Sequence, residues 1–478
     1  MIPLRALCIH AHFYQPPRED PLSGFIPAES GAAPFRNWNE RIHTECYRPN
    51  VELGNFERIS FNIGPTLIDW MISYDPDTYH KLIAQDAANV SRYGVGNAMA
   101  QAYNHTILPL ANHADKVTQI YWGIVDFQHR FGRKPQGMWL PETAVDLETL
   151  NILAEQGIEF TILAPWQANT DNLDPTEPYR VMLPEGKSIT VFFYQRELSG
   201  GISFNPGLTN NADDFAKQEI FQYYSLEKAY QGEPQFLMIA SDGELYGHHQ
   251  HFRDRFLARL MDGASARLGI TATYPALWLH SIQPRRTISI REMTSWSCYH
   301  GVDRWMRECE CTPGDGRWKA HLRQAFNKLA ASLDLLYANE LSAKGIDPWR
   351  LRNEYIRVML GERSLPDLVG QMAKHRLAGE ELWRIRLLLE SQRERQRMFT
   401  SCGFYFDDFS RIEPKNNVTY AAHAAHLSRL ATGVDLAPQT CALLEHVRSN
   451  YTNIRGDMVF RRQLERVEGL EPVVFETA

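Results

Sequence analysis

Phe236-Leu237-Met238-Ile239-Ala240-Ser241-Asp242-Gly243-Glu244-Leu245-Tyr246-Gly247-His248-His249 is an apolar run that stops abruptly in two carboxylates, two glycines and two imidazoles. A short apolar run closed by a glycine turn reads as a strand covered on both faces. Leu4 to His10, Arg58 to Asn62, Gln136 to Leu140, Phe160 to Ala164 and Ser188 to Tyr194 repeat the pattern, with helical stretches between them. Strands that alternate with helices pair in parallel, so the fold class expected for residues 1–295 is α/β. Polar residues stand where several of these runs stop: His10 and His12, Asn62, Glu142, and Asp242 with Glu244. In a β/α barrel the C-terminal strand ends converge on the active site, which brings Glu142 and Asp242 within reach of one another.

Beyond about residue 315 the periodicity changes. Trp318, Leu322, Phe326, Leu329, Leu333 and Leu336 recur at three and four residues, and Gly345 follows as a stop. Further helical stretches cover roughly 350–361, 379–399, 417–431 and 438–449. The expected organisation is a catalytic barrel over 1–295, an irregular connection over 296–316 and a C-terminal helical domain over 317–478.

Bulk properties narrow the function. A length of 478 residues allows two or three domains. With 57 acidic against 50 basic residues the net charge is −7, and no basic tail is present to neutralise a phosphate backbone, so nucleic acid is not expected as a partner. Met1 to Phe13 is too short and too interrupted for a membrane span, and it lacks a cleavage region; no membrane partner is expected. Seven cysteines, an odd number spread thinly, fit reduced thiols in a cytoplasm better than a disulfide framework. The 11 Trp suit a cleft in which flat rings stack on sugars.

Four segments carry candidate chemistry. In His10-Ala11-His12-Phe13-Tyr14-Gln15-Pro16 the alternate histidines of a strand point the same way; they could be core imidazoles, a metal pair or contacts to sugar hydroxyls. Gly137-Met138-Trp139-Leu140-Pro141-Glu142 ends a strand in a carboxylate, whose bland alternative is a helix N-cap. In the opening stretch Glu244 can raise the pKa of its neighbour Asp242, and Gly243 and Gly247 would let the backbone turn and approach a ligand. Gly96 to His105 supplies Asn104 and His105 from a loop. Glycoside cleavage needs two carboxylates flanking one bond, a demand that Glu142 and Asp242 meet; a separation of about 5 to 5.5 Å retains configuration and about 6.5 to 9.5 Å inverts it.

At these residues the chain resembles glycoside hydrolase family 57, with its N-terminal His and Gln-Pro motif, its Trp-Leu-x-Glu motif and its Asp-x-Glu-x-Phe/Tyr-Gly motif present in order over roughly 1–305. Phe61-Asn62-Ile63-Gly64-Pro65 and Ile162 to Gln167 also look like that family's segments. The resemblance implies an incomplete (β/α)7 TIM-like barrel followed by helices, with Glu142 on the nucleophile, Asp242 on the acid/base, and His10, His12 and His105 beside the cleavage point. It also makes Gln15, Trp139, Glu244, Trp296, His300 and Asp303 candidate substrate contacts. Gly96 to Gln101 lacks a glutamate found in some members and looks more like the branching-enzyme group. The implied activity is a retaining hydrolase on α-glucans, with glucan transfer or α-1,6 branching as alternatives, since they share one glycosyl-enzyme.

No cofactor or metal is expected on this reading. Its rivals are a metal-dependent deacetylase or α-mannosidase-like enzyme using His10, His12 and Asp242 as ligands, and a glucan-binding protein without turnover. Cys298, His300, Cys309 and Cys311 could form a zinc knot, but their spacing matches no established zinc pattern, and an ordinary loop with reduced thiols is expected.

Overall fold

The computed structural model describes residues 3–374, 377 and 379–469. Seven strands form the ring that carries the site: β1 (Arg5–Phe13), β2 (Ser60–Ile63), β3 (Ala98–Gln101), β4 (Met138–Trp139), β5 (Phe160–Leu163), β6 (Ser188–Phe193) and β7 (Gln235–Asp242). β1 lies between β2 and β7, all parallel, with His10 opposite Ser60 and Ala240, and His12 opposite Asn62 and Asp242. β2 pairs with β3, β3 with β4, and β5 with β6, again in parallel. Two seams are thinner. A single parallel bridge from Gly137 to Phe160 joins β4 to β5, and the Gln195 N–H just past β6 donates to the Met238 carbonyl of β7 at 2.7 Å. The result is an incomplete (β/α)7 barrel. At the first seam a Cβ on residue 137 would lie 2.3 Å from the Phe160 ring, so only glycine admits the approach.

The barrel interior follows from the two-residue period of strands. Ala6 and Cys8 of β1, Phe160 and Ile162 of β5, Phe192 of β6, and Phe236, Met238 and Ala240 of β7 gather in one buried cluster. Continuing the same alternation towards the C-terminal ends reaches His10 and His12 on β1 and Asp242 on β7. The core pattern therefore aims these side chains inward at the top of the ring.

β3 falls where the sequence reads as a loop. Its Ala98-Met99-Ala100-Gln101 has no β-branched residue, so propensity gives no strand signal, yet all four residues are buried between β2 and β4.

The chain divides into two compact units. The barrel unit takes the chain up to Gln15, Pro27–Pro109 and Gly123–Ser297. The helical unit takes Cys298 onward together with Pro16–Ile26 and Leu110–Trp122, two segments that the sequence periodicity placed within 1–295. Its principal helices are Trp318–Ser342, Glu380–Arg397, Ile412–Thr432 and Gly456–Glu468. Trp318, Leu322, Phe326, Leu329 and Leu333 are buried as the periodicity requires, but the stripe continues through fully buried Tyr337 and Leu341 while Leu336 is half-buried. In the same unit the buried Arg352 and Arg395 both pair with Asp115, and Arg395 also meets Asp334 at 2.7 Å. Among the described residues no helix is long and apolar enough to cross a membrane.

Candidate active site

Glu142 stands three residues beyond β4, in a left-handed conformation with φ 58° and ψ 20°. A non-glycine residue in this region is strained, and here the surrounding bonds hold it. The Trp296 N–H donates to the Glu142 carbonyl at 3.0 Å. The Trp296 indole Nε1–H and the Ser297 hydroxyl both donate to Oε2, at 3.0 and 2.6 Å. Donors converging on one carboxylate oxygen fix the orientation of the carboxyl group.

Asp242 is the last residue of β7. Its side chain opens into the cleft, but dense protein surrounds the carboxyl. Loss of solvation, followed by the charge of Glu142, pushes its pKa up to about 7. The charge of Glu142 thus bears on the ionisation of Asp242 and raises its pKa above the ordinary carboxylate range.

Three buried imidazoles form one hydrogen-bonded group with β1 and β2. His10 Nδ1 lies 2.9 Å from the Ser60 hydroxyl and its Nε2 3.2 Å from Asn62 Oδ1. Asn62 Nδ2 donates to Gln101 Oε1 at 2.7 Å and lies 2.9 Å from His12 Nδ1. His12 Nε2 lies 3.1 Å from His105 Nε2. One proton assignment satisfies all of these contacts. Ser60 donates to His10 Nδ1, His10 Nε2–H to Asn62 Oδ1, Asn62 Nδ2–H to His12 Nδ1, and His12 Nε2–H to His105. All three rings are then neutral. Burial supports this, lowering the pKa of His10 to about 3 and of His12 to about 4, and holding His105 well below the ordinary range.

These contacts redistribute the roles expected from sequence. His10 is fully buried with both nitrogens engaged, so it is a core imidazole and not a sugar contact. Trp139 is also fully buried; it stacks under His10 and His12 with centroids 4.8 and 5.0 Å away and has no surface to offer a ligand. His12 and His105 form the upper layer, and Tyr14, whose role the sequence did not signal, stacks on His105 at 3.8 Å. Trp296 belongs to the site as a donor to Glu142, joined by Ser297, which sequence reasoning did not single out.

Glu244 faces inward and not towards a ligand. Its Oε1 accepts from the Tyr47 hydroxyl at 2.7 Å and from the Tyr14 N–H at 3.2 Å, and Gln15 hydrogen-bonds Tyr47 in turn. Burial pushes the Glu244 pKa up to about 8, with the charge of Asp242 adding and the two donors opposing. Gly243 and Gly247 do not serve close approach to a ligand. A Cβ at 243 would overlap the Phe13 ring at 2.3 Å, and one at 247 the Glu45 carbonyl at 2.3 Å. Glu244→Ala should therefore cost about 2 to 5 kcal/mol by stranding two buried donors, whereas Glu244→Gln keeps an acceptor oxygen and should lose much less. Urea unfolding of the two variants measures the difference; equal stability would mean that Glu244 does not anchor Tyr14 and Tyr47.

His300 and Asp303 lie in the helical unit with partners of their own: His300 sits among Cys298, Cys309 and Cys311, and Asp303 pairs with Arg307 at 2.7 Å. Among the described residues, His10, His12 and Asp242 do not form a metal-ligand group; the cysteine and His300 cluster is the only set of three or more. The engaged nitrogens of His10 and His12 account for this, because a metal needs a free imidazole lone pair.

A parallel seven-stranded barrel with a carboxyl pair at the C-terminal end of its strands defines a protein of the β/α-barrel class. The chain belongs to glycosyl hydrolase family 57, whose model matches residues 13–290. A second model, a domain of unknown function (DUF3536), matches residues 315–476. An α-amylase of Pyrococcus abyssi is 23% identical over 274 residues, covering 54% of this chain and 39% of the relative. A 4-α-glucanotransferase of Thermococcus litoralis is 23% identical over 275 residues, covering 54% and 39%. The chain thus spans less than half the length of the curated relatives it matches. Among solved structures, an exo-type maltose-forming amylase from Pyrococcus sp. ST04 has TM-score 0.75 at 18% identity, covering 92% of this chain and 82% of that one. A branching enzyme from Pyrococcus horikoshii has TM-score 0.61 at 16% identity, covering 98% and 96%. These two share the fold.

Proposed function

We propose that the protein is a retaining glycosidase acting on α-linked glucans, with Glu142 as nucleophile and Asp242 as general acid/base. The observation that carries this reading is the carboxyl pair itself: Asp242 is held protonated to about pH 7 beside a Glu142 whose carboxyl is oriented by Trp296 and Ser297. Asp242 gives its proton to the glycosidic oxygen as Glu142 attacks the anomeric carbon, forming a glycosyl ester and releasing the leaving sugar. Asp242, now ionised, removes a proton from the incoming water, and Glu142 departs as carboxylate. Tyr14, half-buried, and the edge of His12 supply the wall against which the sugar rests, with His105 backing Tyr14 from below. The names of the relatives, α-amylase and 4-α-glucanotransferase, support an α-glucan as the partner. Seven free cysteines fit the cytoplasm as its compartment.

Hydrolysis is placed ahead of transfer to a sugar hydroxyl on the names of the relatives, among which α-amylases recur. The test is incubation with soluble α-glucan and maltooligosaccharides, recording proton NMR of the first product together with reducing ends, chain-length redistribution and branch points. The expected product is the α-anomer before mutarotation, with reducing ends rising. First appearance of the β-anomer would remove Glu142 from the nucleophile role. Redistribution of chain lengths without new reducing ends would make the enzyme a transferase.

A further inference from the structure

Cys298-Tyr299-His300 and Cys309-Glu310-Cys311 each place two soft ligands one residue apart, at either end of a stretch that carries only the short turn Asp303–Trp305. Each triplet runs into a turn, which folds its two side chains back towards the other pair. The fold closes the two pairs on each other. The three Sγ atoms and one ring nitrogen of His300 all lie within 4.8 Å of one another. Cys298 Sγ to Cys309 Sγ is 3.6 Å, and His300 Nδ1 lies 3.2 Å from Cys309 Sγ and 3.5 Å from Cys311 Sγ.

Those spacings decide between chemistries. A disulfide needs sulfurs about 2.05 Å apart, far closer than any pair here. A tetrahedral zinc with Zn–S of about 2.3 Å and Zn–N of about 2.0 to 2.1 Å has S to S edges near ~3.8 Å and S to N edges near ~3.6 Å. The observed edges approach that tetrahedron.

The surroundings suit an anion, which three thiolates and one neutral imidazole around a divalent ion would create. The Tyr299 N–H donates to Cys311 Sγ at 3.3 Å. Lys319 is fully buried, and its ammonium donates to neutral oxygens, the Thr312 hydroxyl at 3.1 Å and the Arg304 carbonyl at 3.2 Å. Among the described residues no carboxylate pairs with it. A buried ammonium with only neutral acceptors is costly, and a negatively charged metal centre nearby offsets that cost. Arg304 adds a second cation, donating to the Cys311 carbonyl at 2.8 Å.

We propose that Cys298, His300, Cys309 and Cys311 bind one zinc ion through three sulfurs and His300 Nδ1, in a closed four-coordinate structural site. Binding displaces the three thiol protons and leaves a site of net charge −1. Soft thiolates with one imidazole in tetrahedral array select zinc over the oxygen-seeking ions, and four protein ligands leave no position for substrate or water.

The full chain should be purified without added metal and assayed by inductively coupled plasma mass spectrometry, with Cys441→Ser as a control. About one zinc per chain is expected in both, and a several-fold loss in Cys311→Ser, whose partly exposed position makes misfolding a small risk. Because zinc can be stripped in handling, the wild-type protein treated with a mercurial and then reduced is titrated with Co2+. Saturation at one equivalent, with thiolate-to-cobalt charge transfer and the visible bands of tetrahedral cobalt, supports the site. Wild-type protein that holds no zinc and shows no such bands overturns the proposal. So does iron as the sole bound metal, or a disulfide between any two of the three cysteines in the freshly purified chain.

Discussion

Replacing Glu142 with alanine should lower kcat on maltooligosaccharides by about 10^4-fold, corresponding to about 5.5 kcal/mol of barrier. The loss follows from geometry. Glu142 is fixed by donors from Trp296 and Ser297 and by a left-handed backbone, so the substitution removes a carboxylate held in one orientation. Azide supplied at high concentration should restore part of the rate, because a small anion fits the space left by the side chain and can attack the anomeric carbon from the same face. The rescued product from an α-glucoside with a good leaving group should be the β-glycosyl azide, since one displacement in place of two inverts the centre. A variant that keeps a tenth of the wild-type rate, or rescue that yields the α-azide, would exclude Glu142 as nucleophile. The azide product separates this outcome from misfolding, because an unfolded variant makes neither.

What the sequence revealed and what it hid have physical causes. Both carboxylates were legible because each terminates or follows an apolar run, and strand ends in a β/α barrel converge whatever their separation in the chain. Depth along the strand was not legible. His10 lies only two residues before His12, but at about 3.3 Å per residue that is a full layer of the barrel, enough to seal His10 completely while His12 keeps a small exposed edge. The grip of Trp296 and Ser297 on Glu142 spans more than 150 positions and left no local signature. Tyr47, which holds Glu244, comes from a helical segment with no recognisable motif. In the helical unit the long amphipathic helix was plain. Gly456–Glu468 was not, because its buried apolar residues, Phe460 and Val467, stand seven apart among charged neighbours.

Asp242→Asn should separate the two halves of the reaction. On maltooligosaccharides, whose leaving hydroxyl needs a proton, kcat/KM should fall about 10^2- to 10^4-fold. On a glucosyl fluoride or dinitrophenyl glucoside the first step should stay within about tenfold of wild type, because such leaving groups depart unprotonated; the glycosyl-enzyme would then accumulate, as its hydrolysis lacks a base. Equal slowing of both steps would mean that Asp242 is not the acid. The pH profile supplies an independent check. With a carboxyl pKa raised from 3.8 to about 7, Asp242 carries its proton below about pH 7 and loses it above, so wild-type kcat/KM on maltooligosaccharides should fall on the alkaline side of 7. The same shift affects stability with a definite sign. Between about pH 4 and 7 the folded protein holds a proton that the unfolded chain has released, so the Asp242 contribution is most favourable below pH 4 and declines as the pH rises to 7. The substituted amide mimics the neutral carboxyl at every pH and avoids that decline. The melting temperature of Asp242→Asn relative to wild type should therefore climb from pH 4 to pH 8, and a difference that stays flat over this range would mean that the carboxyl ionises as an ordinary aspartate and cannot serve as the acid at neutral pH.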